Sequence, residues 1–125
     1  MKEKVLVQDY KQLLVWQKGM QLAEQIYKLT RGFPPDERFG LVAQMRRAAV
    51  SVPSNIAEGR ARHTTGEFIQ FLSHAQGSAA EVETQLVLSV NLGFCSGTKA
   101  DPGLALVVEL RKMLSGLRRK LVAGR

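Results

Sequence analysis

The sequence predicts an all-α protein, an up-down four-helix bundle, and three observations carry that prediction. Apolar residues recur at alternating three- and four-residue steps through four long segments. The connections between them are short and marked by Pro, Gly and capping residues, which favours antiparallel neighbours. No segment reads convincingly as a strand.

The first segment runs from about Gln12 to Arg31. Leu13, Trp16, Met20, Ala23 and Tyr27 form one apolar seam. Val15, Leu22, Ile26, Leu29 and Phe33 form a second on another side of the cylinder, and polar Gln17, Gln21, Glu24 and Lys28 lie between. One buried face suffices for a helix of a monomeric bundle. The second seam, through Val15, Leu22, Ile26 and Leu29, is therefore expected to join copies in a homo-oligomer.

Phe33-Pro34-Pro35-Asp36 ends this segment, because consecutive prolines cannot continue a helix interior, and Asp36 is the expected N-cap of the next. The second segment presents Leu41, Met45, Ala48 and Val52 on one face before it meets Pro53. The third opens at Thr64 or Thr65, with Glu67 placed as in a capping box. Its face reads Phe68, Phe71 or Leu72, Ala75, Ala79, Val82 and Leu86. The fourth is expected after Asp101-Pro102, a cap followed by proline at the first helical position. It continues through Leu104, Val107, Leu110, Leu114, Leu117 and Leu121. Residues 11–123 thus form one bundle domain behind an N-terminal arm, 1–10, for which both a strand-like and a disordered reading stay open.

The chain has 125 residues, 45% hydrophobic and 23% charged, which is ordinary globular usage. No apolar run reaches the ~18 residues of a spanning helix. The start, MKEKVLVQDY, carries acids and no sustained apolar core, unlike a signal peptide. A cytoplasmic protein with no membrane partner is expected. The single cysteine, Cys95, excludes an intrachain disulfide and reads as a small apolar residue just past a helix. With only His63 and His74 beside it, no metal site and no cofactor are expected.

The formal net charge is +7. Residues 64–95 hold Glu67, Glu81 and Glu83 and no Lys or Arg, whereas residues 96–125 hold seven basic residues and two acidic ones. Such segregation suits a surface that faces a polyanion, and equally a solvated face.

Pro53 raises the sharpest local question. In an unrelieved helix interior it costs about 3 kcal/mol. The helix kinks there, with Ser51 or Ser54 supplying local hydrogen bonds, or it breaks, with Asn55 capping a new turn and Glu58 reaching back. Arg46, Arg47, Arg60 and Arg62 flank the spot.

Around it lies a long run of residues that resembles a known family. Val15-Trp16-Gln17-Lys18, Tyr27, Phe33-Pro34, Glu37, Gly40-Leu41, Gln44, Arg46-Arg47-Ala48, Ser51-Val52-Pro53-Ser54-Asn55-Ile56-Ala57-Glu58-Gly59, Gly77-Ser78, Glu81 and Gln85-Leu86 carry the likeness. They resemble the four-helix-bundle family encoded in intervening sequences of bacterial large-subunit ribosomal RNA genes, over about residues 10–95. The fourth segment matches only in kind. The resemblance implies a left-handed up-down bundle assembled as a ring, a homopentamer. It also brings in a relative, the accessory protein of diversity-generating retroelements, which binds nucleic acid and a reverse transcriptase. Gln44, Ser51, Pro53, Ser54, Asn55, Glu58, Gly59, Gly77, Ser78 and Glu81 are the family's signature positions.

Three constellations compete for a function. Glu67, His74 and Glu81, spaced by seven, could shuttle protons, or could form a polar seam pairing with Arg46, Arg47 or another subunit. No nucleophile, Gly-rich phosphate loop or Glu-x-x-His step accompanies them. Gly77, within Gln76-Gly77-Ser78-Ala79-Ala80, suggests close approach of another helix or of the Pro53 region rather than a ligand site. Arg111 with Arg118, and Lys112 with Arg119, form two exposed lines extended by Lys120 and Arg125. Together with Arg46, Arg47, Arg60 and Arg62 they form the candidate nucleic-acid surface. The reading is a non-catalytic, basic, oligomeric scaffold that binds RNA or DNA mainly through phosphates, with weak sequence specificity. The alternative is an assembly module that docks an acidic protein. A metal or acid–base enzyme on the Glu67 stripe is the third.

Overall fold

The computed structural model describes residues 9–125 and contains four α-helices: α1 (Leu14–Thr30), α2 (Leu41–Arg60), α3 (Thr65–Asn91) and α4 (Gly97–Ala123). Among the described residues there is no strand. Each helix packs on two others, α1 on α2 and α4, and α3 on α2 and α4, so the four stand in a square without diagonal contacts. Pairs such as Gly19 with Pro53, Ser51 with Ser78, and Arg111 with Glu83 run in opposite chain directions. The bundle is therefore antiparallel throughout. Most of the predicted arm, residues 1–8, lies outside the described residues. Asp9 caps a 3-10 turn, Tyr10–Gln12, whose Tyr10 ring meets Trp16 edge-on at 5.4 Å.

The core is drawn from the expected faces of α2, α3 and α4. Met45, Val52, Leu72, Val82, Leu86, Val107, Leu110 and Leu114 are all fully buried. The seams of α1 are a correction. Leu22 and Ile26 are 0% exposed, Val15 is buried and Leu29 packs against the same cluster, so the seam assigned to an oligomer interface is the protomer's own core. Of the other seam, Ala23 is buried and Leu13 and Trp16 pack against the same core, while Met20 and Tyr27 are about two-fifths exposed. Both seams follow the helical period, and Gly19 decides between them. A Cβ built there would already touch the Pro53 ring at 3.4 Å, so a longer side chain on that side would hold α1 away from α2.

Three helix starts differ from expectation. Before α2, Asp36 sits in a 3-10 turn, Pro35–Glu37, and the capping group is Glu37, whose Oε1 accepts the Leu41 N–H at 3.1 Å. For α4 the cap is Ser96, whose Oγ accepts the Lys99 N–H at 3.1 Å; Pro102 lies inside the helix on the exposed side. A proline so near an N-terminus interrupts only one hydrogen bond, and water can satisfy the exposed carbonyl it leaves. The third difference is small: α1 spans Leu14–Thr30 rather than Gln12–Arg31. Thr64 caps α3 as expected, accepting the Glu67 N–H at 3.1 Å. Gly93, with φ 77°, closes α3 in the left-handed conformation that favours glycine, and Phe94 N–H returns to the Ser89 carbonyl at 2.9 Å.

α2 runs unbroken through Pro53. Asn55 does not cap a new turn. Its Nδ2 donates back to the Ser51 carbonyl at 2.8 Å and to Ser51 Oγ at 2.9 Å. Glu58 does not reach back either; it pairs forward with Arg62.

Gly77 also differs from expectation. It is exposed, and a Cβ there would meet nothing within 4 Å. Gly77→Ala should accordingly stabilise the protomer by about 1 kcal/mol through helix propensity alone. Chemical denaturation reads this as a raised midpoint at unchanged slope.

Candidate nucleic-acid interface

The signature residues fall into two groups. One joins helices. Ser51 Oγ and Ser78 Oγ are hydrogen-bonded at 2.8 Å, so with Asn55 they form a polar relay from α2 to α3. Pro53 is buried against Gly19 of α1. Gly59 is buried against α3, where a Cβ would lie 2.5 Å from Phe71 Cβ and 3.1 Å from Phe68 Cδ1. These contacts explain a proline and two serines in mid-helix by packing. The other group, Gln44, Ser54, Glu58, Gly77 and Glu81, is exposed.

Glu67, His74 and Glu81 are all exposed on α3. His74 stacks edge-on against Phe71 at 5.7 Å, and Glu81 accepts Gln85 Nε2 at 3.5 Å. None of the three pairs with Arg46 or Arg47 among the described residues, because Arg46 turns to α1 instead. Arg46 Nε donates to Thr30 Oγ1 at 3.0 Å, and its guanidinium lies 4.5 Å from the Tyr27 ring centre. No three His, Cys, Asp or Glu side chains gather as metal ligands would among the described residues. Cys95 is half-buried against the core; burial raises its thiol pKa, with the Lys99 charge pulling the other way. A thiol held protonated is a poor nucleophile.

The ten predicted cations do not form one surface. Arg46 and Arg47 sit near the start of α2 and Arg60 at its end, about 20 Å apart at the rise of an α-helix. One further position is corrected. Arg118 is half-buried, its Nη1 donating to Gln76 Oε1 of α3 at 2.8 Å, because its line on α4 turns toward α3 rather than to solvent. Arg111, on the same line, is exposed as expected and paired with Glu83. Lys112, Arg119 and Lys120 are exposed, with Arg119 Nη1 donating to Ser115 Oγ at 2.8 Å.

What the structure does gather is a cationic end. The C-terminal ends of α2 and α4 meet the N-terminal end of α3, where Arg125 Nη2 lies 3.0 Å from the point a Gly66 Cβ would occupy. Arg60 sits over the Phe68 ring at 5.7 Å and Arg62 over Phe71 at 4.7 Å. Arg119, Lys120 and Arg125 belong to the same end. Of these cations only Arg62 forms an ion pair among the described residues, at 2.9 Å with Glu58. Cations also suit the negative ends of two helix dipoles.

The pattern described as 23S rRNA-intervening sequence protein matches residues 11–116. The chain belongs to this family. The match runs through most of α4, further than the likeness over residues 10–95. Among solved structures, a protein of unknown function from the S23 ribosomal protein family of Bacteroides thetaiotaomicron is similar in fold, with a TM-score of 0.76. It is 23% identical, and the alignment covers 84% of this chain and 98% of that one. No curated protein matches the sequence. For this member of the intervening-sequence family, no helix among the described residues is long and apolar enough to cross a membrane.

One aromatic residue was missed altogether. Phe39 is 87% exposed, beside Arg38, whose guanidinium lies 5.3 Å from its ring centre. The available signal was a phenylalanine outside every apolar seam, in a Pro- and Gly-bounded connection and next to an arginine.

Proposed function

We propose that this intervening-sequence family protein is a non-catalytic basic scaffold that binds RNA or DNA through phosphates, with little sequence preference. The observation that supports it most is the cationic end, where Arg60, Arg119, Lys120 and Arg125 converge without a carboxylate partner among the described residues. Such a surface neutralises phosphates, and its cations stand at the ends of two helices rather than along one helix that could enter a groove. Assembly as a ring would multiply it. The exposed apolar residues Met20 and Val50, which line a depression with Trp16 and Pro53 on the α1–α2 side, are the surface proposed for that assembly, rather than Leu22 and Ile26.

The test is an anisotropy titration of a generic RNA and a matched DNA across a salt series. The logarithm of the binding constant should fall linearly with log salt. Replacing Arg60, Arg119 and Lys120 together with Ala should reduce that slope by about 2–3 and leave the helical circular-dichroism signal unchanged. Absence of binding at low salt would overturn the proposal and point to an acidic protein as partner.

A further inference from the structure

The opposite end of the bundle carries a second surface with different chemistry. A groove of about 530 Å³ lies between the end of α1 and the first half of α2, lined by Tyr27, Arg38, Phe39, Val42, Arg46 and Arg47, with Val50 where it borders the Met20 face. Its lining residues include three arginines and no carboxylate. Asp36 and Glu37 lie on the adjoining connection, but Glu37 is engaged in capping α2.

Phe39 needs explanation. Among the exposed large apolar residues described, its 87% exposure is the highest, and it packs into no core. It is not on a loose loop. Arg38 N–H returns to the Pro35 carbonyl at 3.1 Å, Gly40 N–H to the Glu37 carbonyl at 3.1 Å, and Leu41 N–H to the Glu37 carboxylate. The backbone that carries the ring is therefore an ordered turn, and little backbone freedom remains to be lost when a partner covers it. Arg46 is likewise fixed, by Thr30 and by the face of Tyr27.

We propose that this groove is a single-stranded nucleic-acid site, in which Phe39 stacks on an unpaired base and Arg38, Arg46 and Arg47 hold the neighbouring phosphates. An aromatic ring set among guanidinium groups is the arrangement that binds single strands, since every base has a face to stack and the backbone supplies the charge. A duplex keeps its bases stacked on one another and offers that ring nothing. A second copy of this chain fits less well, because it brings 18 cations and 11 acids to a groove that is already cationic. The inference rests on the nucleic-acid reading above and adds to it a strand preference located at the other end of the molecule.

The experiment compares a fluorescein-labelled oligouridylate with the corresponding RNA duplex, on the full chain and on Phe39→Ala and Phe39→Trp. An 87% exposed side chain can be removed without touching the core. The wild type should prefer the single strand by about tenfold, Phe39→Ala should lose that preference while keeping duplex affinity and salt slope, and Phe39→Trp should restore it. Equal single-strand affinity in wild type and Phe39→Ala, with salt-linked binding intact, would overturn the groove and leave the scaffold standing. Failure of the wild type to bind either ligand at low salt would overturn both. A changed sedimentation coefficient in Phe39→Ala would mark the groove as a contact between copies, and an equal loss of oligoglutamate binding would mark it as a protein site; either overturns base stacking.

Discussion

Replacing Leu22 and Ile26 together with Glu is expected to unfold the protomer, with loss of the helical circular-dichroism signal at room temperature. Both side chains are 0% exposed and face the bundle interior. Truncating one large buried aliphatic residue already costs about 2–5 kcal/mol, and a buried carboxylate without a partner adds several more. A domain of this size has about 5–15 kcal/mol in total, so two such changes exceed it. Met20→Glu with Val50→Glu is the informative contrast. Those positions are 37% and 41% exposed, so the doubly substituted chain should stay helical. If that face joins copies, sedimentation velocity will show smaller particles for it. A folded, dispersed product from the Leu22 and Ile26 pair would instead return that seam to the interface.

Gly59→Val is expected to destabilise the bundle by about 3 kcal/mol, seen as a lowered denaturation midpoint. The first atom of any side chain at this position would lie 2.5 Å from Phe71 Cβ. That neighbour cannot rotate away, because a Cβ is fixed to its backbone, so α2 and α3 must separate. Phe71→Ala should therefore give no rescue. The gain in helix propensity on losing glycine recovers only a few tenths of a kcal/mol with a β-branched residue. Gly77, on the outside of α3, should respond in the opposite direction to a small substitution, and the comparison isolates close approach from propensity.

Much of this architecture can be read from the chain. The faces of α2, α3 and α4 follow the helical period, and Thr64 with Glu67 marks one helix start without ambiguity. The period fails where it has two solutions. On α1, Val15-Leu22-Ile26 and Trp16-Met20-Tyr27 are equally regular, and the choice lies in a glycine that carries no hydropathy. On α4, Arg118 and Arg119 are neighbours in sequence, and a rotation of one residue decides which of them reaches Gln76. The cations defeated reading for a different reason. Segregation along the chain says nothing about which helix ends meet, so Arg46 and Arg60 were grouped although a helix separates them. Phe39 escaped because periodicity searches for what is buried.

The Pro53 ring against Gly19 has a consequence for how such chains vary. Each residue alone is costly in a helix, the proline through its missing donor and the glycine through its freedom. Together they form a close contact: a Cβ at position 19 would just touch the ring at 3.4 Å, whereas a longer side chain there would push α1 and the ring apart. A side chain longer than alanine at position 19 should therefore be inherited together with a change at position 53. A homologue that gains such a longer side chain at the first while keeping the proline at the second should show a displaced α1, and its exposed α1–α2 face should be remodelled with it.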